Sequence, residues 1–273
     1  MKPLYLFSPK VWRGVSLHIA HARSLILFLD YDGTLTPICS TPDAAVLSDE
    51  TRRLLCRMET LPSTHCVLIT GRSMNDIQSL VRIPSMWIAA NHGFHIRRGK
   101  FEWVHPAAKN FSTARKQIMK TCNPLVRRFK GAWMEDKQYT LSIHYRLVAP
   151  SKVSDFKRKL LTLLQPYRPK IKLTRGKKVI EIRPPAEWGK GHAVNVILQR
   201  IKVHQKPLLI AIGDDRTDEA MFQRIEGEGL TIRVGYSQCT GAQYYVRSTE
   251  EVTKLIYPIL QHRTLKERER KKE

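Results

Sequence analysis

Apolar residues in this chain come as short unbroken runs, separated by stretches in which they recur every third or fourth position. Leu25-Ile26-Leu27-Phe28-Leu29, Cys66-Val67-Leu68-Ile69, Trp87-Ile88-Ala89-Ala90, Leu208-Leu209-Ile210-Ala211-Ile212 and Leu230-Thr231-Ile232-Arg233-Val234 read as strands, most of them apolar enough to be buried on both faces of a parallel sheet. Between them the spacing turns helical. Ser48 caps a helix bearing Leu54, Leu55, Met58 and Leu61, and Ser73 with Asp76 forms a capping box ahead of Ile77, Leu80 and Val81. Lys190 opens a helix with Val194, Ile197, Leu198 and Ile201. Ser248 with Glu251 starts a last one, in which Pro258 is expected to cause a kink. The segment Met1 to Ala22 reads as a leader helix packed on the first strand. Its apolar positions are broken by Pro9, Lys10, Arg13, His18 and His21, which does not suit a signal peptide. This alternation predicts an α/β fold with a doubly wound parallel sheet.

In the middle of the chain the texture changes. Residues near 107 to 130 pattern as one long amphipathic helix disturbed at Pro124. Tyr139-Thr140-Leu141-Ser142-Ile143-His144-Tyr145-Arg146 alternates apolar and polar, as a half-exposed antiparallel strand does. A helix with Phe156, Leu160, Leu161 and Leu164 follows, then strands at Lys170–Leu173 and Val179–Arg183 around a turn at Gly176. The grouping predicts an α+β module over 106–185, inserted into a core made of 1–105 and 186–273.

The 273 residues are 42% hydrophobic, enough for a sizeable core. No apolar run is long enough to cross a bilayer, so no membrane partner is expected. Five cysteines, Cys39, Cys56, Cys66, Cys122 and Cys239, lack the spacing of a metal knuckle or redox pair and read as free thiols in a reducing cytoplasm. The net charge is +23, with basic residues dispersed along the sequence. No recognition helix, zinc-finger spacing or aromatic RNA-binding motif accompanies them, so nucleic acid is not the expected partner and an ordinary basic surface is. The run from Arg263 to Glu273 reads as a solvated or frayed helix end, and a monomer is expected.

The chemistry-bearing residues follow the buried runs. Asp30 and Asp32 end the first one, and they share a side if the strand reaches that far. Gly33 permits a sharp turn and Thr34 adds a hydroxyl. Two such carboxylates repel unless a cation or a proton intervenes, which suggests metal-assisted chemistry on an anion. Thr70-Gly71-Arg72 follows the second run, Lys190 starts a helix, and Gly213-Asp214-Asp215 follows a later run. Each alone is a common loop composition; in this order, each after the right element, they are specific.

The set resembles the haloacid dehalogenase superfamily of phosphatases, from Leu25 to about Val234. By that resemblance Asp30 is the nucleophile, Asp32 the general acid and then base, Lys190 the neutralising cation and Thr70 a hydrogen-bond donor to the phosphoryl group. Asp30, the backbone carbonyl of Asp32, and Asp214 would hold one Mg2+. A carboxylate at the Asp32 position points to a phosphatase or mutase rather than an ATPase, and the insert between Thr70 and Lys190 resembles the larger cap of sugar phosphatases. Asp30-Tyr31-Asp32-Gly33-Thr34-Leu35-Thr36-Pro37-Ile38, Asn91-His92-Gly93, Glu135-Asp136-Lys137, Ile143-His144-Tyr145-Arg146, Glu181-Ile182-Arg183-Pro184 and Gly213-Asp214-Asp215-Arg216-Thr217-Asp218-Glu219 are similar, in order, to trehalose-6-phosphate phosphatases. The resemblance implies a sugar-phosphate substrate, trehalose 6-phosphate first, with sucrose phosphate or glucosylglycerate phosphate as alternatives. A basic binding protein on a retired scaffold is a further alternative. It implies substrate contacts from Gly33, Gly71, Arg72, Asn91, His92, Glu135, Lys137, Arg146 and Glu181. His144 taken alone reads as part of a solvated strand face, and Asp218 as a helper of the metal site or a helix-dipole acid. Ala220 departs from the family, which commonly has an acid there.

Overall fold

A computed structural model describes residues 2–39, 41–176, 178–203 and 205–270, so the last residues of the C-terminal charged run lie outside it. In chain order the elements are β1 (Leu4–Tyr5), α1 (Pro9–His21), β2 (Leu25–Leu29), α2 (Asp49–Glu59), β3 (Thr64–Ile69), α3 (Met74–Val81), β4 (Trp87–Ala90), β5 (His95–Arg98) and β6 (Phe101–Val104). Then come α4 (Pro106–Asn110), α5 (Ser112–Arg128), β7 (Trp133–Asp136), β8 (Leu141–His144), α6 (Pro150–Leu164), β9 (Lys172–Gly176) and β10 (Val179–Arg183). The remainder is α7 (Lys190–Leu198), β11 (Leu208–Gly213), α8 (Glu219–Ile225), β12 (Gly229–Val234), β13 (Tyr244–Val246) and α9 (Thr249–Arg270). The chain divides into two compact units: Met1–Gly71, Asn75–Glu102 and Trp188–Glu273 form one, Arg72–Met74 and Trp103–Glu187 the other.

Among the described residues the large sheet has nine strands, ordered β1-β13-β12-β11-β2-β3-β4-β5-β6. Pairing is parallel from β1 through β4, and β5 runs antiparallel to β4. The predicted α/β architecture is therefore present, with a helix between successive parallel strands except between β12 and β13. All five residues of β2 are buried, which is why its sequence carries no polar alternation. Ser48 caps α2 as its sequence implies, its hydroxyl accepting from the Thr51 amide at 3.1 Å.

Four strands escape the sequence pattern. β1 and β13 are only two and three residues long, and β5 and β6 carry charged residues. The leader segment is thus part strand, at the sheet edge beside Tyr244–Tyr245, before its helix α1 packs near α9. The last helix runs through Pro258 as one element.

The unit is fastened late in the chain. Arg263, on α9, is 3% exposed. Its Nε donates to Thr64 Oγ1 at 3.0 Å, Nη1 to the Ala22 carbonyl at 2.7 Å, and Nη2 to the carbonyls of Arg23 and Ser63 at 3.0 and 3.2 Å. One guanidinium therefore closes the starts of both β2 and β3. Such a buried cation is tolerated because its donors find fixed acceptors.

In the second unit β7-β8-β10-β9 form an antiparallel sheet. Ile118 and Cys122 of α5 and Phe156 and Leu160 of α6 pack with Leu141, Ile143, Ile180 and Ile182. Side chains alternate across a strand, so Ser142, His144 and Glu181 project from the opposite face. The predicted single helix over 107–130 is instead two, joined at Phe111, and Pro124 sits inside α5. β7 was not legible as a strand: its Trp-Met-Glu-Asp sequence is too short and polar. The basic residues are not dispersed in space. Of the 47 Lys and Arg, 21 fall in this unit with only 5 of the 24 acids, giving it +16 of the net +23.

Candidate active site

β2 stops at Leu29, before both carboxylates, so turn geometry and not strand alternation places Asp30 and Asp32. The Asp30 amide still donates to the Ile212 carbonyl at 3.0 Å, holding it beside β11. Beyond it the chain wraps on itself: the amides of Thr34, Leu35 and Thr36 all donate to the Tyr31 carbonyl, and Gly33 N donates to Thr36 O at 2.7 Å. Tyr31 is fully buried and its hydroxyl donates to the Ala45 carbonyl at 2.7 Å, anchoring the turn. Gly33 has φ 90°, and a Cβ there would overlap the Asp214 carboxylate. Glycine is thus required twice, for the left-handed backbone and for the close approach. Asp32 follows in the turn and is half-buried.

Lys190 begins α7 and is buried. Its Nζ donates to Asp30 Oδ1 and to Asp218 Oδ1, both at 2.6 Å. Thr34 Oγ1 donates to Asp30 Oδ2 at 3.4 Å. Asp218 is fully buried, and its second oxygen accepts from the backbone amides of Asp214 and Asp215 at 3.0 and 2.9 Å. The 3-10 turn Arg216–Asp218 closes this arrangement as a reciprocal capping box with Asp215. Asp218 is the residue whose weight the sequence understated: both of its oxygens are committed to positioning others. The Gly191 Cα faces the Ala220 carbonyl so closely that a Cβ would clash, letting the start of α7 reach α8.

One carboxylate oxygen each from Asp30, Asp214 and Asp218 lie within 4.8 Å of one another. This cluster brings Asp30 and Asp214 together, and Asp218 is its third acid. Burial would lower the Lys190 pKa, but the carboxylates of Asp218 and Asp30 outweigh it and keep the ammonium charged, above its ordinary value. Burial pushes the Asp30 carboxyl well up. Lys190 opposes that, and repulsion from Asp218 and Asp214 adds to it. Three carboxylates here meet one ammonium, an excess of acid over base among these four groups. An all-oxygen donor set with that excess fits a hard divalent cation, and the Gly33 cradle leaves the Asp214 carboxylate the room to offer an oxygen.

Thr70 is buried at the end of β3; its amide donates to Ala89 O at 2.9 Å and its carbonyl accepts from His92 N at 2.7 Å. Asn91 and His92 are both in left-handed conformations, φ 51° and 56°, and both are buried. Two successive non-glycine residues there cost of the order of 1 kcal/mol each, a strain that recurs at functional sites. The His92 imidazole lies over Gly71, 2.6 Å from where a Cβ would stand.

The second unit holds its own polar group. Register aligns Glu135, Ser142, Glu181 and Thr174 in one row across β7, β8, β10 and β9. His144 Nε2 pairs with Glu135 Oε2 at 2.9 Å, and its ring stacks on Trp133 at 3.8 Å and 8°. His144 is therefore not a free solvated residue but a clamp on Glu135. Burial raises the Glu135 carboxyl, yet the hydrogen bond from His144 and the charges of Lys137, His144 and Arg72 hold it below the usual range. Glu181 Oε2 accepts from Arg183 Nε at 3.0 Å, from Arg183 Nη2 and from Thr174 Oγ1 at 3.2 Å. Lys137 Nζ stands 3.6 Å from Glu135 and 4.0 Å from Glu181. Arg146 is exposed beyond β8. Thr174, Arg183 and Ser142, all missed from sequence, were signalled only by their register.

A parallel sheet whose central strand is followed by a lysine-paired aspartate, with further aspartates after the adjacent strand, is the layout that the resemblance to the haloacid dehalogenase superfamily implies. A solved haloacid dehalogenase-like hydrolase from Bacteroides thetaiotaomicron shares the fold, with TM-score 0.61 at 19% identity over 87% of this chain and 100% of that one. The sequence matches the family described as Trehalose-phosphatase over residues 28–251. Trehalose 6-phosphate phosphatase RA3 of Zea mays is 32% identical, covering 88% of this chain and 71% of its own. The solved trehalose-6-phosphate phosphatase of Aspergillus fumigatus is 26% identical with TM-score 0.64, covering 96% of this chain and 99% of that one. The chain belongs to the trehalose-phosphatase family, and it is a phosphomonoester hydrolase.

Proposed function

We propose that this chain hydrolyses trehalose 6-phosphate to trehalose and phosphate through an aspartyl-phosphate on Asp30, with Mg2+ held by Asp30, Asp214 and the Asp32 carbonyl. The observation that carries the reading is the buried Lys190 ammonium shared by Asp30 and Asp218, with the Asp214 carboxylate alongside. Mg2+ bound there would supply positive charge against the phosphoryl oxygens. The Asp30 carboxylate attacks phosphorus, and the bond from phosphorus to the sugar oxygen breaks. Asp32 gives its proton to the departing alkoxide. Asp32, now a carboxylate, takes a proton from water as that water attacks the phosphorus. The Asp30–phosphorus bond breaks, and phosphate leaves. Lys190 balances charge on Asp30 throughout, and Thr70, Gly71, Asn91 and His92 would contact the phosphoryl group or the sugar near it.

We read residues 106–185 as a cap that recognises the sugar. Glu135, Lys137 and Glu181 would each take several hydroxyls, with Arg72 and Arg146 assisting. Support comes from the shared row and from Lys137, which stands near both carboxylates. No described helix is long and apolar enough to cross a membrane, and all five cysteines are free, which supports a reducing cytoplasmic setting. Every group invoked is on one chain, so a monomer suffices.

Phosphate release from a sugar-phosphate panel, with and without a chelator, tests the proposal. Trehalose 6-phosphate is expected to be preferred, with turnover lost on chelation and restored by Mg2+. Preference for sucrose phosphate or glucosylglycerate phosphate would overturn the substrate, and chelator-insensitive turnover would overturn the metal.

A further inference from the structure

The second unit carries +16 of the net +23, and part of that excess lies away from the groups the proposed chemistry uses. In the second unit the polar row of Glu135, Ser142 and Glu181 projects from one face of the sheet, and α5 and α6 cover the other. A group on the outer side of those helices cannot touch a sugar held by that row. Neither α4 nor α5 contains an acid, and α6 has only Asp155, which is taken by Arg158 at 2.5 Å and Lys159 at 2.7 Å.

On α5 the buried positions are Ala114, Ile118, Cys122 and Val126. Lys116, Lys120 and Arg127 occupy the opposite stripe, all exposed; exposed Arg128 ends the helix and exposed Lys130 follows it. Like charges at that spacing repel within a helix, so the stripe does not serve the helix's own stability. α5 spans about 25 Å at the usual helical rise, long enough to track several phosphates of a duplex.

The character of the face narrows the partner. Among the described residues, none of the exposed large apolar side chains lies on α4, α5 or α6. Insertion into a bilayer would use such anchors. A single strand would need exposed aromatic platforms. Phe111, Phe129 and Phe156 are instead buried, and the Tyr167 hydroxyl is bonded to Thr121 at 2.8 Å. The geometry points to a sequence-independent docking surface for the phosphate backbone of double-stranded nucleic acid, formed by the outer face of α5. It requires no recognition motif, because phosphate contacts position a protein without reading bases.

Fluorescence anisotropy of the full chain with a labelled duplex of arbitrary sequence tests this across a salt series. Binding at low salt should weaken linearly on a log–log scale. The triple variant K116E/K120E/R127E should bind about tenfold or more weakly with a shallower slope, by about 0.9 for each phosphate that is no longer neutralised. Phosphate release by the variant should stay within about twofold of the parent, since the stripe is outside the site. The milder K116Q/K120Q pair should show a smaller shift in the same direction. The proposal is overturned by no salt-dependent duplex binding, by an unchanged slope in both variants, by capture on phosphatidylserine vesicles while duplex is ignored, or by loss of phosphatase activity in both variants. The duplex arm reads independently of which sugar phosphate is cleaved.

Discussion

In the first unit Asp30 and Asp218 share a single ammonium, with side chains 8% and 0% exposed. In the second, Glu135 and Glu181 each have a clamp of their own, His144 and Arg183, and remain 21% and 16% exposed. The first arrangement is short of positive charge, and the second is satisfied within itself. A site that must drive a reaction on a dianion benefits from standing ready for another cation. On the proposed reading, a surface that holds neutral hydroxyls benefits from carboxylates fixed in place. Substitutions in the first should therefore act on turnover and stability, and substitutions in the second on binding.

The largest expected effect is from Asp30→Asn. Removing the nucleophile should lower kcat by about 10^4-fold or more, while circular dichroism shows an intact fold. Residual turnover within about a hundredfold of the parent would sink the nucleophile assignment. Asp218→Asn comes next. It leaves Lys190 with one acid and takes the charge from two amide contacts, so kcat should fall about a hundredfold and stability by about 2 kcal/mol, read by urea denaturation. If only stability moved, Asp218 would be structural and the contrast between the units would weaken.

His144→Ala probes the other side. With the clamp on Glu135 gone, KM should rise about tenfold and kcat should stay nearly unchanged. A fall in kcat with unchanged KM would mean that the second unit acts on the chemistry.

The smallest effect lies outside both sites and sets the background. Glu59 accepts from Cys66 N at 2.7 Å, and burial pushes its carboxyl up to about 6 from 4.5. The folded state then binds this proton more tightly than the unfolded one, so stability is highest below pH 4.5 for this group and declines as pH rises through 6. Glu59→Gln should flatten that part of the pH–stability profile and gain about 1 kcal/mol at about pH 7.5. An unchanged slope would remove Glu59 as its source.

The strands that carry Asp30, Thr70 and Asp214 were legible in the sequence because strands buried on both faces must be continuously apolar. The short edge strands were not, since Leu4–Tyr5 is a strand only because Tyr244–Val246 lies beside it, and that strand in turn rests on β12. Glu135 was found through its motif, but its clamp was not: nothing along the chain says that His144 falls opposite Trp133 and beside Glu135. Asp218 was ambiguous for a similar reason. Its role depends on a turn that folds its carboxylate back onto the amides of Asp214 and Asp215. The excess of basic residues was legible too, since 20 of the 47 fall within 103–187, but which of them share a helix face was not.

Arg263 has a consequence for the order of events in folding. Its bonds to Ala22, Arg23, Ser63 and Thr64 join residues 199 to 241 positions apart. Contacts of such separation are the slow ones to close, and α9 is synthesised after every strand of the sheet. β2 and β3 can pair early, yet their starts stay unfastened until this arginine arrives, so the strands that present Asp30 and Thr70 are among the first made and the last locked.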